Sequence, residues 1–289
     1  MENTSSIIPS VQIFQMTIYI PTFIFGLLFN LLALWMIFFR IRKWTEATTY
    51  VTTLIMFDSL LLLTLPFKMR AYKMGTEWNL GSTFCIFLES LYFINMYGSI
   101  LISVCICMDR YIAIQYPFHS VNLRSPKRAA LVCCLVCIIV CGVPSGFLYQ
   151  MKATNKGTQC FYGFSIEMWM NVPLIVIPEV VFVCSAIMIT FCTAHITFTL
   201  KKKTNLDPAT PLGNKSMKIL LANLFSFLFS FAPFHLSLLL YFLVQNGILP
   251  NDTNGPLRVF LQLSLCLANI NCCLDSLCYY FVFKDSLRS

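Results

Sequence analysis

Apolar residues run in long blocks along this chain, and short polar breaks separate the blocks. Seven blocks stand out, near residues 12–40, 47–73, 82–115, 125–149, 168–200, 215–246 and 257–281. Each block is long enough for a helix that crosses a bilayer, which needs roughly 20 apolar residues. The pattern therefore predicts an all-α membrane protein, a seven-transmembrane helix bundle over residues 12–281 that follows a polar tail over residues 1–11.

The composition supports a membrane-embedded chain. Of the 289 residues, 58% are hydrophobic and only 11% are charged. A soluble domain carries about 25% charged residues, so this chain has too little charge to cover a water-soluble globule. The high apolar content also excludes a disordered chain.

Basic residues cluster on one side of the predicted bundle. Fourteen of the 20 Lys and Arg residues lie at the breaks on the same side as residues 40–43 and 201–203, five lie on the opposite side, and Lys68 lies within a span. The positive-inside rule places the basic side in the cytoplasm and the N-terminus outside the cell. The sequons at Asn3 and Asn251 then fall outside, where N-glycosylation occurs. This topology and the anionic lipid of the inner leaflet account for the net charge of +8 without a nucleic-acid partner.

The cysteines fall into two groups. Twelve of the 14 lie inside predicted spans, where a free thiol behaves as a small apolar group. Cys85 and Cys160 lie on the oxidising outer side, and a disulfide between them would hold the second outer loop over the bundle. The loops show no Cys spacing typical of a zinc site, so we expect no metal cofactor except a possible sodium ion.

That sodium ion would bind polar side chains in the middle of the membrane, where each ionisable group is costly and suggests a function. Asp58 lies mid-span in the second block, and two pairs of polar residues four positions apart share a helix face in the third and seventh blocks. Either a monovalent cation or a water-filled hydrogen-bond network would suit this group, and both interpretations stay open. The residues are Asn30, Asp58, Asn95, Ser99, Asn271 and Asp275.

A second polar cluster is predicted nearer the outer surface. Lys68 lies about 15 Å outward of Asp58 along the same helix, and Glu89 reaches a comparable height on the third span. The two form either a structural ion pair or an anion site, in which a phosphate or carboxylate competes with Glu89 for Lys68. An apolar cavity with few polar anchors is typical of ligand pockets. The predicted ligand-binding residues are Lys68, Glu89, Tyr92, Phe93, Met96, Phe161, His235 and Gln262.

An Asp-Arg pair stands at the inner end of the third span, within Met108-Asp109-Arg110-Tyr111. Such a pair can hold the arginine locally and release it when the aspartate is protonated or when the helices part. The predicted activation residues are Asp109, Arg110, Tyr111, Phe227, Phe231, Pro233 and Tyr279.

These motifs together resemble the rhodopsin family of seven-helix G protein-coupled receptors, and the resemblance covers nearly the whole chain. It rests on the ordered positions Gly26 through Asn30, Asp58, Trp78, Cys85 with Cys160, Met108 through Tyr111, Ala232-Pro233, and Asn271 through Tyr279. The resemblance implies a receptor in the plasma membrane whose cytoplasmic end activates a heterotrimeric G protein. It also implies a short amphipathic helix 8, and we interpret residues 282–289 as its truncated start.

A finer match is to the lipid and nucleotide branch of the family, and within it to a small group responsive to lysophosphatidylinositol or kynurenate. Leu65 through Met69, Asn95 through Ser99 and Leu123 through Pro126 carry this match. It implies an anionic, lipid-like ligand at Lys68 and a G protein of the Rho-activating class, with the inhibitory class second. A small organic acid of the kynurenate type or a nucleotide is the alternative ligand.

Some positions depart from the family pattern. Phe231 stands where the family has a toggle tryptophan, Ser276 where a proline kinks the last span, and Cys137 in place of the fourth-span tryptophan. An ion-coupled transporter or channel is the alternative from another class, since several acidic residues lie within the spans. The histidines show no nucleophile–base or metal spacing, so we expect no enzyme activity.

Overall fold

Seven long helices account for most of the described chain. The computed structural model describes residues 9–42, 44–73, 78–118, 120, 124–154, 160–161, 172–206 and 211–286, and it contains no strand among them. The helices are α1 (Pro9–Trp35, extended by a π-helical turn Met36–Ile41), α2 (Glu46–Lys73), α3 (Ser82–Gln115), α4 (Pro126–Thr154), α5 (Val172–Leu206), α6 (Pro211–Gln245) and α7 (Asn254–Ser286). A 3-10 turn, Asn251–Thr253, precedes α7. The prediction of a seven-helix bundle is confirmed.

The observed helix ends lie close to the predicted ones. Six helices of the described part are long and apolar enough to span a membrane, namely all but α4. The last helix runs without a break through Ser286, so residues 282–286 continue α7 where the sequence predicted the start of helix 8. Residues 1–8, which include the predicted glycosylation site Asn3, and residues 287–289 lie outside the described chain. Asn251 lies in the turn before α7, and its glycosylation stays a prediction.

Helix α3 lies at the centre of the bundle, since it packs against α2, α4 and α5, while α1 and α6 both pack against α7. Unlike that of a soluble protein, the exterior of the bundle is largely apolar. Ile138, Ile187 and Phe225 are exposed on the outside, whereas polar residues such as Asn30 and Asp58 are buried inside. A lipid-facing exterior produces this arrangement, because water is absent there and buried polar groups must find partners within the bundle.

Two glycines permit close helix contacts. A Cβ on Gly98 of α3 would lie 2.7 Å from the ring of Phe57 on α2, and a Cβ on Gly26 of α1 would lie 2.8 Å from Leu62. Small residues at such points let helix backbones approach each other in membrane bundles. These contacts hold α2 between α1 and α3 and so fix the position of Asp58 and Lys68, which α2 carries.

Candidate functional site

An outer cavity of ≈ 70 Å³ opens among α2, α3, α6 and α7. Its lining is mostly aromatic and aliphatic, with three polar anchors from three different helices, as is usual for small-molecule sites. The lining residues are Lys68, Glu89, Tyr92, Phe93, Phe161, Phe234, Leu261, Gln262 and Leu265.

Lys68 is the unusual residue of this cavity, because its side chain is only 4% exposed. Its ammonium nitrogen lies 4.7 Å from the ring centre of Tyr92, 5.0 Å from that of Tyr19 and 5.9 Å from that of Phe161. Aromatic faces attract a cation, and the attraction grows when the cation is removed from water. We call Lys68 with these three rings the lysine cage.

Glu89 shares the cavity with Lys68 but does not form the direct ion pair that was one of the two interpretations of the sequence. Its carboxylate accepts a hydrogen bond of 3.0 Å from the backbone N–H of Phe161, and it interacts with Lys68 only at longer range. The next residue in the loop, Cys160, is bonded to Cys85 on α3, as the sequence predicted. The disulfide and Glu89 together hold Phe161 near Lys68, as the third ring of the lysine cage.

The structure brings six of the eight predicted ligand-binding residues into the cavity lining and leaves two outside it. Met96 is buried in the core. His235 faces α5, where its Nδ1 lies 3.0 Å from a carboxylate oxygen of Glu179 and its ring stacks on Phe182 at 4.0 Å.

Four residues were not predicted from the sequence: Phe234, Leu261 and Leu265 of the cavity lining, and Tyr19 of the lysine cage. Helical spacing contained a signal for one of them, since Leu265 lies three positions after the predicted Gln262 and therefore on the same face of α7. Gln262 itself is fixed by α1, because Gln15 donates a hydrogen bond of 3.1 Å to its side-chain oxygen. Tyr19 enters through the packing of α1, which the sequence pattern does not specify.

The six polar residues predicted at mid-membrane lie in hydrogen-bonded groups. Asn95 donates to Asp58 at 3.3 Å and to Ser99 at 3.4 Å, which ties α3 to α2. On α7, Asn271 donates to Asp275 at 2.6 Å. Asp58 and Asp275 are close enough to interact electrostatically. Two neighbouring carboxylates of this kind suit a bound cation or a shared proton.

Asn30 joins α1 to α7 through a residue that the sequence analysis marked only as a departure from the family pattern. Ser276 donates to the side-chain oxygen of Asn30 at 2.7 Å, and Asn30 donates to the backbone oxygen of Cys272 at 3.2 Å. A serine in place of the usual proline therefore supplies a direct bond between these two helices.

The inner end differs from the predicted local Asp-Arg pair. Asp109 accepts two hydrogen bonds from Arg124, of 2.8 and 2.9 Å, and forms no ion pair with Arg110 although all three residues are described. This expectation was wrong because Arg124, at the start of α4, presents a planar fork to the carboxylate. The hydrogen bond with Asp109 raises the pKa of Arg124 above its usual value, so the arginine stays charged.

A second cavity, of ≈ 30 Å³, lies between the polar middle and the inner end. Asp275, Tyr279 and Phe227 contribute to its lining, with residues of α3 and α5. A cavity of this size holds about two water molecules. Arg110 interacts electrostatically with Tyr279, so the predicted residues Arg110, Tyr279 and Phe227 surround the same inner region.

Helix α6 carries the other predicted activation residues. Phe231 is buried, packs edge-on against Phe227 at 5.4 Å, and lies two residues before Pro233 inside the helix. Proline removes one backbone hydrogen bond and allows a helix to bend. Tyr111 lies apart from this group, against His195 of α5 at 5.6 Å.

These features define a class: a multi-pass helical membrane protein with an apolar outer cavity that has a few polar anchors, a polar middle and a basic inner end. The family model "7 transmembrane receptor (rhodopsin family)" matches residues 29–279. The chain therefore belongs to the rhodopsin family of seven-transmembrane receptors. Members of this family are receptors rather than enzymes, and their partners are ligands and G proteins.

Three named relatives show which branch of the family the chain resembles. The chain is 33% identical to human G-protein coupled receptor 55 over 279 residues, which cover 94% of this chain and 85% of the relative. It is 32% identical to human lysophosphatidic acid receptor 4 over 278 residues, or 94% and 75% of the two chains. Human G-protein coupled receptor 35 is 31% identical over 268 residues, or 91% and 81%. The predicted branch of the family is confirmed.

Proposed function

We propose that this receptor binds an anionic lysophospholipid of the lysophosphatidylinositol type, with the phosphate at Lys68, and activates a heterotrimeric G protein. The observation that carries the proposal is a buried ammonium group surrounded by aromatic rings at the edge of an apolar cavity. One of the relatives is named for lysophosphatidic acid, which is itself an anionic lysophospholipid.

The electrostatics of the lysine cage favour an anionic ligand. A buried charge is costly unless it is paired, and aromatic faces compensate only part of that cost. Glu89 does not complete the compensation, because its carboxylate is bound to the Phe161 N–H. A phosphate at Lys68 would give the ammonium the anionic partner that no described residue supplies at contact distance.

The rest of the cavity suits the other parts of a lysophospholipid. Phe93, Phe234, Leu261 and Leu265 form its apolar lining, where an acyl chain would gain burial energy of about 0.8 kcal/mol for each CH₂ group. Gln262 offers a hydrogen-bonding side chain to a hydroxylated headgroup. A kynurenate-type acid or a nucleotide would use the same Lys68 charge but would leave more of the apolar lining unoccupied.

We propose that ligand binding shifts a pre-existing equilibrium between two arrangements of the helices. Helix α6 would move at Pro233, with Phe231 and Phe227 repacking, and Arg110 and Tyr279 would then contact the G protein. The Rho-activating class is the preferred G protein, and the inhibitory class is second. In this proposal the receptor lies in the plasma membrane with its N-terminus outside, as the basic residues indicate, and the polar middle holds a sodium ion in the inactive arrangement.

The first prediction tests the phosphate site with Lys68→Met, which keeps the length of the side chain and removes its charge. We expect the potency of lysophosphatidylinositol to fall by roughly 30- to 1000-fold, because about 2–4 kcal/mol of charge pairing is lost. The measurement is activation of purified G proteins of both classes, at surface expression matched to that of the unmodified receptor.

Lys73→Met is the matched control, because Lys73 lies on the same helix and is exposed. It should leave potency unchanged. Monoacylglycerol, which lacks the phosphate, should be a weak agonist with the same potency on both variants. Undiminished lysophosphatidylinositol potency for Lys68→Met would remove Lys68 from the ligand site.

A further inference from the structure

Arg124 connects three elements at the inner end of the bundle. Its guanidinium donates two hydrogen bonds to Asp109 at the foot of α3 and lies 3.5 Å from Glu46 at the start of α2. The Asp109 side chain is 7% exposed, so most of its contact with water is lost in this pair. Bidentate arginine–carboxylate pairs with restricted exposure are among the stronger ion pairs in proteins.

The backbone around Arg124 is also held in place. The Arg124 N–H donates to the backbone oxygen of Ser120 at 2.9 Å, and the Ser125 hydroxyl accepts from the N–H of Arg128 at the start of α4. A serine in this position caps the helix N-terminus. The guanidinium therefore reaches Asp109 from a fixed point rather than from a free loop.

Arg110 follows Asp109 directly, so the two residues are the obvious alternative pair at this site. While Arg124 donates to both oxygens of Asp109, its positive charge neutralises the carboxylate and weakens the attraction of Asp109 for a second guanidinium. Arg110 makes no ion pair with a described residue, and it interacts electrostatically with Tyr279 on α7. The occupation of Asp109 by Arg124 thus determines whether Arg110 is free.

We infer that Arg124 is a positioning residue for G protein coupling: it binds Asp109 and thereby keeps Arg110 available to the G protein. The inference rests on the proposed coupling to a G protein. Without Arg124, Asp109 becomes an acceptor for Arg110 and withdraws it from the inner surface. Glu46 has a supporting part, since it holds Arg124 from the side of α2.

The test combines a single and a double substitution. Arg124→Gln should lower ligand-independent nucleotide exchange on the G protein about five- to tenfold, a typical coupling effect. Arg124→Gln with Asp109→Asn should restore the rate to that of the unmodified receptor or above, because no carboxylate is left to bind Arg110. The assay uses purified receptors in lipid nanodiscs with each G protein class. Lys127→Gln, an exposed neighbour on α4, is the control and should have no effect.

A purely structural role of Arg124 predicts the reverse, namely that the double variant is as impaired as the single one or more so, and that result would overturn the inference. Hydrogen exchange provides a readout that needs no G protein. Arg124→Gln should accelerate exchange of the Ser120 and Arg124 amides, and unchanged exchange would overturn the positioning role. An unmodified receptor inactive on every G protein contradicts the proposed function, whereas unchanged exchange in Arg124→Gln contradicts the role of Arg124 without involving a G protein.

Discussion

Three buried charged residues contribute most of the chemistry of this protein, and each is compensated in a different way. Aromatic rings surround Lys68, the amide of Asn95 donates to Asp58, and Arg124 pairs with Asp109. The compensation is most complete for Asp109, which has a full counter-charge, and least complete for Lys68. An additional counter-ion would therefore stabilise the buried charge of Lys68 more than that of the other two residues.

Close packing at a single position gives the next prediction. Gly98→Ala would place a methyl group 2.7 Å from the Phe57 ring, which is too close for any carbon contact. We expect a loss of about 1–3 kcal/mol in stability, because one of the two helices must shift. Thermal unfolding of the purified receptor measures it. Gly142→Ala is the control, since a Cβ there meets no atom within 4 Å, and an equal effect in both variants would contradict the packing argument.

Composition and spacing indicated which buried polar residues are important in this protein, but they did not indicate the partners of those residues. Lys68, Asp58 and Asp109 stand out in the sequence because charged residues inside a span are rare. The partner of Asp109 could not be predicted, since Arg124 is 15 positions away and the adjacent Arg110 is the simpler choice. Tyr19 buries Lys68 because of the way α1 packs against α2. The periodicity of apolar residues in the sequence does not specify that packing.

At the scale of helices, a polar link between His235 and Glu179 joins α6 to α5 inside the membrane. The ring of His235 on α6 stacks on Phe182 and its Nδ1 bonds to Glu179, both on α5. The link lies two residues from Pro233, the position at which α6 is proposed to bend. A movement of α6 must therefore preserve this bond or break it.

A double-mutant cycle tests that link. Glu179→Ala leaves His235 without its partner, and His235→Phe keeps the stacking on Phe182 but removes the bond. Each single variant should lower the thermal midpoint, and the double variant should be little worse than either, with a coupling of about 0.5–1.5 kcal/mol. Thermal unfolding in nanodiscs supplies the data. Strictly additive effects would show that the two side chains do not stabilise each other.

Helix positions were the most predictable part of the fold, because the length of an apolar block is set by the thickness of the membrane. The blocks 47–73 and 82–115 differ from the observed α2 and α3 by no more than one residue. The last helix is longer than predicted, since the polar residues Lys284 and Asp285 do not end it. Polar residues mark the edge of a membrane, and a helix can continue past that edge.

For the molecule as a whole, the outer half is organised around one covalent link. The disulfide joins residues 75 positions apart and places Phe161 next to Glu89 and Lys68. The inner half has no such link among its described residues, and its contacts are ion pairs and hydrogen bonds. The outer half is therefore covalently cross-linked, whereas the described contacts of the inner half are non-covalent.

This difference leads to a prediction for the double variant Cys85→Ser/Cys160→Ser. We expect lysophosphatidylinositol potency to fall at least about tenfold, because Phe161 must then be ordered when the ligand binds. Surface expression and G protein activation are measured together. Cys134→Ser/Cys141→Ser, at two exposed cysteines of α4, should change neither. Full potency in the absence of the disulfide would show that Phe161 is positioned by other contacts.

The lysine cage has a consequence for biosynthesis. The ammonium group of Lys68 loses its hydrating water when the chain folds, before any ligand binds. The ligand-free receptor therefore bears a desolvation cost in free energy, which a bound anion offsets. A molecule that binds only the folded form shifts the folding equilibrium by mass action. An anionic lipid present during insertion would thus increase the fraction of chains that reach the native bundle, and the same ligand would assist maturation in the cell and later act as the signal.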